Sequence, residues 1–479
     1  MSNPGAQEAM SDRPVEVEKT GIEHVADEKR HGSPGRVFTL WFAANLTIAD
    51  YVIGALCVLP SPSYGFGLTV SQAIPILLVG NLLGGLFVGL AAAMGPSLGF
   101  PQMMSSRASF GRLGNYLPGA LNWISTVGWF TVNTILAVFA LQVIFPGANF
   151  LAGAAAYVVI QAVIAIYGHD FIHLFEKAMS VILGVLFLAI FVTTIPNLPA
   201  AFAYVPAGAT GALSLGAVGT VLVSCFSYLM SWSPYASDYS RYLPRSAPKA
   251  RILLFALVGG ALSSFAVEVV GALVGSIAPL QSESSYFGGL NSAVGAFGWL
   301  AMLTLILGAF AADALNLYTN SLSALVLDVK ASRWKTVAAG GAVGFVIAAV
   351  VGEQFEPFYE SFLLLLSYWI MPWLAIVIVD FFVARSTTVE GTERPKRVDG
   401  GALLVYAASV MVSAPFMVPA LSLGFPVGSL AYLFGGADFS YFVSFAAAAV
   451  LTYLLRSRSR NRARPGAGPE PPRSPGGIV

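Results

Sequence analysis

Ionisable and amide side chains interrupt several long apolar stretches of the sequence. WFAANLTIADYVIGAL carries Asn45 and Asp50, and LGAFAADALNLYTNSLSAL carries Asp313, Asn316 and Asn320. Such groups are costly inside a bilayer, so they usually face a bundle interior or a cavity. They can hydrogen-bond a polar ligand, and the two carboxylates can also take up and release a proton.

Aromatic residues accompany these polar groups. NWISTVGWFTVNTILA places Trp129 and Asn133 four residues apart, on one face of a helix. SWSPYASDYSRYLPRS follows another apolar stretch and contains Trp232 and Pro234. Aromatic faces and amides together suit a flat ligand, stacking on its faces and hydrogen-bonding its edge. For single Asn and Ser residues, bonding between neighbouring helices is an equally good explanation.

The composition indicates a membrane protein. Of the 479 residues, 56% are hydrophobic and 10% charged, with a mean hydropathy of +0.75. A soluble domain carries about 25% charged residues. The formal net charge of +1 gives no reason to expect a nucleic-acid partner. Cys57 and Cys225 lie in apolar stretches and fit small buried side chains better than a disulfide framework.

No enzymatic chemistry is indicated. His24 and His31 lie in the N-terminal tail, and His169 and His173 fall at an inside loop. No metal-ligand set is therefore expected within the membrane, and no nucleophile–base pair is evident. A Gly-rich phosphate loop, which ATP-driven transport would need, is missing as well. We therefore expect neither an enzyme nor a cofactor.

Twelve stretches are long enough to cross a hydrocarbon core about 30 Å thick, which needs about 20 apolar residues. They cover approximately residues 37–60, 70–94, 117–145, 151–168, 172–195, 212–236, 251–275, 293–327, 335–352, 359–384, 400–420 and 436–455. The polar stretches outside them, residues 1–35 and 456–479, are predicted to be disordered tails.

The basic residues support this count. With the N-terminus in the cytoplasm, all 25 Lys and Arg residues fall on the cytoplasmic side, as the positive-inside rule requires. We therefore predict a multi-pass protein of the plasma (inner) membrane with both termini cytoplasmic. Asp238 and Arg241 then lie at the cytoplasmic mouth, three residues apart. They could form an ion pair of an inner gate or serve as interfacial anchors.

Helices 1 and 6 are both irregular, and they begin two possible five-helix halves. These halves cover residues 36–199 (helices 1–5) and 200–385 (helices 6–10), and residues 386–455 hold helices 11 and 12. Paired irregular spans at corresponding positions of two halves indicate a transporter binding site. Helices 3 and 8 also correspond under such a repeat, and each carries an Asn.

Three motifs carry a resemblance to a known family. SWSPYASDYSRYLP, WFAANLTIADYVIGAL and SRASFGRLGNYLPGALNW resemble the purine-cytosine permease branch of the nucleobase–cation symporter family, over residues 36–455. The resemblance implies an all-α polytopic membrane protein with twelve transmembrane helices. It also implies a LeuT-like five-plus-five inverted repeat, with helices 1 and 6 broken and two extra helices. The implied activity is secondary active import of cytosine and/or purines by cation symport.

The resemblance also implies the roles of particular residues. It places a planar heterocycle between aromatic rings on helices 3 and 6, and lets amides on helices 3 and 8 read the ring edges. Helix 1 would add contacts from residues 44–51. The implied substrate-binding residues are Trp129, Trp232, Asn133, Asn316, Asp313 and Asp50.

One departure bears on the coupling ion. Sodium-dependent members of the family have hydroxyl residues on helix 8 shortly before the substrate amide, whereas GAFAADALN has alanines. We therefore expect H⁺ rather than Na⁺, with Asp50 or Asp313 as the proton carrier.

Other substrates stay open, because exchanging one amide alters the match at the ring edge. They are allantoin, a hydantoin, uracil, thiamine and pyridoxine. A passive facilitator fits less well, since the polar residues gather near mid-membrane instead of lining a continuous pore. The expected partners are a small heterocycle and the bilayer, and no oligomeric state is indicated.

Overall fold

The structure is a computed structural model, and it describes residues 18, 20–60, 65–207, 213–277, 284–352, 355–418 and 428–463. Within these residues the regular elements are all helices. The first half contains α1 in two pieces (Gly35–Ala44 and Ile48–Val58), α2 (Val70–Ala92), α3 (Tyr116–Ile144), α4 (Phe150–Tyr167) and α5 (His169–Thr194).

The second half begins with α6, also in two pieces (Leu215–Met230 and Ala236–Ser240). It continues with α7 (Lys249–Ile277), α8 (Gly298–Val326), α9 (Arg333–Val351), α10 (Phe355–Ile378), α11 (Gly400–Ser413) and α12 (Ser440–Ala463). Shorter helices occupy the connections at Gly95–Leu98, Gln102–Ser105, Arg107–Phe110, Leu198–Ala203, Ser284–Val294 and Val389–Glu393.

Nine helices among the described residues are long and apolar enough to cross a membrane, or ten if the bent pair in α1 is one span. Two shorter apolar helices, Tyr368–Val383 and Gly400–Phe416, lie where the tenth and eleventh spans are predicted. The architecture is thus that of an all-α polytopic membrane protein. It is compatible with twelve spans, and the exact number stays a prediction.

The two interruptions have local causes. The pieces of α1 meet at 58°, where the amide of Asn45 donates to the carbonyl of Trp41 at 2.7 Å and Thr47 caps the second piece. In α6 the helix stops at Met230, and a 3₁₀ turn over Ser233–Tyr235 separates it from the second piece. Pro234 lies in that turn, where its missing N–H and the clash of its ring with the preceding turn prevent α-helical continuation.

The helices that carry the predicted site pack closely. α3 lies along α8, and α2 lies along α7. Glycines allow the closest approaches to α1: a Cβ on Gly308 would lie 2.1 Å from the carbonyl oxygen of Leu46, and one on Gly54 would lie 1.9 Å from that of Glu268. α8 and α7 therefore press directly on α1, at and just after its bend.

The N-terminal segment differs from the disordered tail predicted for residues 1–35. Glu18 and residues 20–35 are described and lie against the bundle. Arg30 donates to the carbonyls of Val25 and Pro96, and Arg241 donates to the carbonyl of Gly21 at 2.8 Å. These tertiary contacts join residues distant in sequence, which the local composition does not reveal. Residues 1–17 and 19 of that tail lie outside the described part of the chain.

Arginines mark one end of the bundle, which we call the basic end. Arg107 donates to Val326 at the end of α8, Arg333 to Ala165 at the end of α4, and Arg456 to Ser109. The N-terminal segment lies at the same end, since it contacts Arg241. This clustering is the arrangement that the charge pattern predicts. That the basic end faces the cytoplasm stays a prediction.

Candidate functional site

A hydrogen-bonded group of polar side chains joins α3, α4 and α8, and we call it the central cluster: Asn133, Tyr157, Asp313 and Asn316. Asp313 is fully buried and accepts three hydrogen bonds. The amide nitrogens of Asn133 and Asn316 lie 2.9 and 3.0 Å from its Oδ1, and the Tyr157 hydroxyl lies 3.0 Å from its Oδ2. Three of the sequence-predicted site residues thus meet at one carboxylate.

The central cluster leaves hydrogen-bonding groups open. Because both amide nitrogens donate to Asp313, the side-chain oxygens of Asn133 and Asn316 point elsewhere. Both oxygens are buried without a partner in the described residues, and so is the indole nitrogen of Trp129. Buried polar atoms are nearly always satisfied in folded proteins, by protein or by water. Two acceptors and one donor beside an aromatic ring are therefore suited to a small polar ligand.

Tyr157 belongs to the cluster although the sequence did not single it out. Its ring stacks on Phe310, with centroids 4.7 Å apart and 12° between the planes. Gln161 donates to its hydroxyl at 3.5 Å. The only signal for it in the sequence is a Tyr and a Gln four residues apart in the otherwise apolar FLAGAAAYVVIQAVIAIY.

Trp129 is surrounded by aromatic rings from other helices. Its ring centroid lies 5.2 Å from those of Tyr228 on α6 and Phe362 on α10, in edge-to-face contacts. The structure therefore brings Trp129 against an aromatic of α6, whereas the resemblance implies a substrate between Trp129 and Trp232. That aromatic is Tyr228, one helical turn before Trp232.

Trp232 lies at the interruptions of α1 and α6. Its indole nitrogen donates to the side-chain oxygen of Asn45 at 2.8 Å. Its ring packs edge-on against Trp41 at 5.5 Å and against Tyr235 at 5.3 Å. In this structure Trp232 thus links the two interrupted helices to each other, and its N–H group is already bonded.

Asp50 lies apart from the central cluster, in a second buried group that we call the acidic group: Asp50, Asn81 and Glu268. Asp50 is fully buried at the start of the second piece of α1. The hydroxyls of Ser264 and Tyr228 face its carboxylate, but among the described residues neither carboxylate oxygen has a partner at hydrogen-bonding distance.

Glu268 of α7 completes the acidic group. Its side chain interacts electrostatically with Asp50, and its Oε2 accepts a hydrogen bond from the amide of Asn81. Its Oε1 has no partner in the described residues. The sequence shows Glu268 as a polar residue of helix 7, but not that it faces Asp50. Tyr228 connects the two regions, because it contacts Trp129 and its hydroxyl lies 2.8 Å from that of Thr47.

The two predicted gate residues bond to different partners at the basic end. Asp238 accepts from the backbone N–H of Gln102 and from the hydroxyl of Thr319, both at 2.8 Å. Arg241 is fully buried, donates to Tyr318 at 3.2 Å and forms an ion pair with Glu18 at 3.6 Å. Asp238 therefore ties α6 to α8, while Arg241 ties α6 to the N-terminal segment.

Comparison with known proteins identifies related chains. A family model described as permease for cytosine/purines, uracil, thiamine, allantoin matches residues 24–444. A putative purine-cytosine permease, YxlA of Bacillus subtilis, is 29% identical over 94% of this chain and 98% of its own length. The purine-cytosine permease FCY2 of Saccharomyces cerevisiae is 28% identical over 78% of this chain and 72% of its own length.

A solved structure shares the fold. It is that of Mhp1, a nucleobase-cation-symport-1 family transporter, in a closed conformation with bromovinylhydantoin bound. The TM-score is 0.75 at 18% identity, and the match covers 95% of this chain and 96% of that one.

Proposed function

This chain belongs to the family of permeases for cytosine/purines, uracil, thiamine and allantoin, and we propose that it imports cytosine and/or purines across the plasma membrane by cation symport. Membership makes it a transporter, not an enzyme, and its fold is that of the Mhp1 structure. The substrate, the coupling ion and the direction of transport are parts of the proposal.

One observation carries the proposal: the side-chain oxygens of Asn133 and Asn316, and the indole nitrogen of Trp129 one turn before Asn133 on α3, are buried without a partner in the described residues. A nucleobase offers N–H donors and a carbonyl or ring-nitrogen acceptor along one flat edge, so it can satisfy all three atoms. Asp313 holds both amides with their oxygens free. An unsatisfied buried polar group costs about 1–3 kcal/mol, so satisfying these atoms supplies binding energy.

The aromatic residues would provide the stacking face. Trp129 is the wall nearest to the amides, because it lies one turn before Asn133 on α3. Tyr228 and Phe362 are in edge-to-face contact with it in this structure, and they would border the same ligand. Trp232 would act from the α1–α6 link, by holding the two interrupted helices at a fixed distance.

For the coupling ion we propose H⁺, carried by Asp50 or Asp313. Both carboxylates are fully buried, and no Lys, Arg or His within the described residues forms an ion pair with either. Burial disfavours the charged form of a carboxyl group, which makes proton uptake favourable. Where α8 meets the bend of α1, Ala311 and Ala312 are buried and supply no hydroxyl to a sodium ion. Glu268 joins Asp50 as a further buried acid next to the substrate region.

The proposal is tested by uptake of radiolabelled cytosine, adenine, hypoxanthine, uracil, allantoin and thiamine into a transport-deficient bacterial strain. Assays run with and without sodium, at two external pH values. We expect saturable uptake of cytosine or a purine that needs no sodium and rises in acid.

Asn316→Ala should abolish that uptake, since it removes both the hydrogen bond to Asp313 and one unpaired acceptor oxygen. Asn320→Ala is the matched control, because Asn320 lies one turn further along α8 and bonds Thr126 and the carbonyl of Trp123. Uptake of allantoin or thiamine alone would move the substrate to another heterocycle of the family description. Sodium dependence would contradict proton coupling, and equal loss in both variants would contradict the placement of the site.

A further inference from the structure

Three side chains at the basic end direct ligand-type atoms at one another. They are His31 of the N-terminal segment together with His169 and Asp170 at the start of α5, and we call them the histidine cluster. One atom from each lies within 4.8 Å of the other two. His31 Nε2 is 2.9 Å and His169 Nδ1 is 3.1 Å from Asp170 Oδ1. The segment and the helix are thus joined through one carboxylate oxygen.

In each imidazole, the nitrogen that faces away from Asp170 determines whether the nitrogen facing Asp170 carries a hydrogen. His31 Nδ1 lies 3.0 Å from the carbonyl oxygen of Lys29, and His169 Nε2 lies 3.3 Å from that of Tyr239. A carbonyl only accepts, so both of these nitrogens must carry the hydrogen. In the neutral imidazoles the remaining nitrogens are then bare lone pairs. Both lone pairs face a carboxylate oxygen, which is also only an acceptor.

Either a proton on each imidazole or a metal cation must therefore lie between these three lone-pair donors. We propose that His31, His169 and Asp170 bind a divalent transition-metal ion of the zinc type. Two imidazoles and one carboxylate with a fourth position open to water form an ordinary donor set for such an ion. Bonds of about 2.0–2.2 Å in a tetrahedral site place ligand atoms about 3.3–3.5 Å apart. The two nitrogen–oxygen separations therefore need to open by only a few tenths of an ångström, and the two imidazole nitrogens, within 4.8 Å of each other, need to lie at the same spacing.

The surroundings suit a metal that enters from solvent. The side chain of His169 is 4% exposed, while those of His31 and Asp170 are 37% and 56% exposed. His169 is thus buried in the protein, whereas His31 and Asp170 are accessible to a metal ion from solvent. The carbonyls of Lys29 and Tyr239 hold the rings in the metal-binding tautomers, as outer-shell partners do in known metal sites. The ring of Tyr242 lies against His169 with centroids 4.0 Å apart, which limits its rotation.

A bound metal would fasten the N-terminal segment to α5. The same segment supplies Glu18 and the Gly21 carbonyl to Arg241 of α6. With the metal in place, the segment is held at both ends across the basic end of the bundle. The consequence for transport rests on the proposed function, whereas metal binding does not.

The first test is metal binding by the full-length protein, purified in detergent and stripped with a chelator. Co²⁺ is the probe, because tetrahedral Co²⁺ with nitrogen and oxygen ligands absorbs visible light. We expect about one Co²⁺ per chain, displaced by Zn²⁺, and at least a tenfold weaker affinity in His31→Ala and Asp170→Asn. His24→Ala is the control, since His24 is in the same segment but bonds Arg30.

Two results would overturn the proposal. One is the lack of a visible Co²⁺ spectrum at a several-fold excess of metal, which would leave two protonated imidazoles sharing the carboxylate. The other is a spectrum that His31→Ala does not change. Because His31 is partly exposed on a surface segment, its substitution does not threaten folding, and His169→Ala is not needed for the decision.

The fastening is tested separately by trypsin cleavage after the exposed Lys29 and by uptake in proteoliposomes. Zn²⁺ should slow cleavage and reduce uptake in the wild type, with at least a several-fold smaller effect in His31→Ala. Equal effects of Zn²⁺ on both proteins would contradict fastening. If no variant transports any base while Co²⁺ still binds, the proposed function fails and the metal site stands.

Discussion

The central cluster and the arginine–carboxylate pairs of the basic end both contain buried or half-buried carboxylates, but these carboxylates have different partners. At the basic end, Asp328 receives Arg107 at 3.1 Å and Arg112 at 3.0 Å, and Asp380 receives two nitrogens of Arg456 at 2.8 Å. In the central cluster, Asp313 receives only two amides and a phenol. Every hydrogen-bond partner found for it is neutral.

The difference separates structural groups from functional ones. The arginine–carboxylate pairs join helix ends and loops, and their charges are compensated. A buried carboxylate without a counter-charge costs folding free energy, so it persists where another requirement holds it. In the central cluster that requirement is holding two amides by their nitrogens, so that their oxygens are left for another partner. We therefore expect substitutions in the arginine–carboxylate pairs to act on stability, and those in the central cluster on transport.

Asp313→Asn should have the largest effect on uptake. When Asp313 is ionised, its carboxylate is the common charged acceptor of the cluster. An amide cannot take this role, so two or more charge-assisted hydrogen bonds weaken, each contributing about 1.5–3 kcal/mol. We expect at least a 100-fold loss of nucleobase uptake at unchanged membrane abundance. The measurement is initial uptake rate against substrate concentration, normalised to protein in the membrane. Wild-type uptake in this variant would show that the carboxylate does not organise the site.

Arg456→Gln tests the other half of the comparison, because it should reduce stability and leave substrate binding unchanged. It leaves Asp380, which is fully buried, without its counter-charge, and breaking such a pair costs about 3 kcal/mol or more. The melting temperature in detergent and the abundance in the membrane should fall. The KM of the remaining protein should stay within about twofold of wild type. A large rise in KM without loss of stability would remove the distinction between the regions.

Tyr228→Ala and Trp232→Ala compare the two aromatic positions on α6. Tyr228 contacts Trp129, so its loss should raise KM about tenfold. A tenfold change corresponds to about 1.4 kcal/mol, which is the size expected when an aromatic contact and its buried area are lost. Trp232 bonds Asn45, so its loss should lower the maximal rate more than it raises KM. The KM and maximal uptake rate of both variants show which of the two side chains contacts the substrate. The reverse pattern would place the substrate between Trp129 and Trp232, as the family resemblance implies.

A smaller effect concerns pH and the basic end. Partial burial alone would raise the pKa of Asp328. Hydrogen bonds from Tyr116 and Arg112 outweigh this effect and lower the pKa below its ordinary value. A lowered pKa contributes stability above the unfolded value, near 3.9, and that stability is lost as pH falls through the folded value. Asp328→Asn should therefore reduce the melting temperature slightly at pH 7 and less at pH 4. Because these ion pairs are partly exposed, we expect the substitution to change the free energy of unfolding by less than about 1 kcal/mol. An equal reduction at both pH values would mean that the charge is not the cause.

Much of the helix layout follows from sequence, and the site follows only in part. The described helices lie at the predicted spans, because twenty apolar residues between polar stretches leave few other solutions. Asn133, Asp313 and Asn316 stand out as polar residues in apolar helices, and they do meet. Tyr157 and Tyr228 do not stand out, because a tyrosine is common in a membrane helix whatever it faces.

The remaining differences come from tertiary contacts. Tyr228 and Trp232 are one turn apart on α6, and the sequence cannot decide which one reaches Trp129. That depends on where α6 ends and on how Asn45 holds Trp232. The packing of the N-terminal segment likewise depends on partners such as Arg241 and Asp170, far away in the chain.

The most direct test of the central claim is equilibrium binding of radiolabelled cytosine and hypoxanthine to purified wild-type, Asn316→Ala and Asn320→Ala proteins. The account predicts that wild type and Asn320→Ala bind at least one base with similar Kd. It predicts that Asn316→Ala, which lacks one of the two free amide oxygens, binds it at least tenfold more weakly. Unchanged binding by Asn316→Ala would contradict the account.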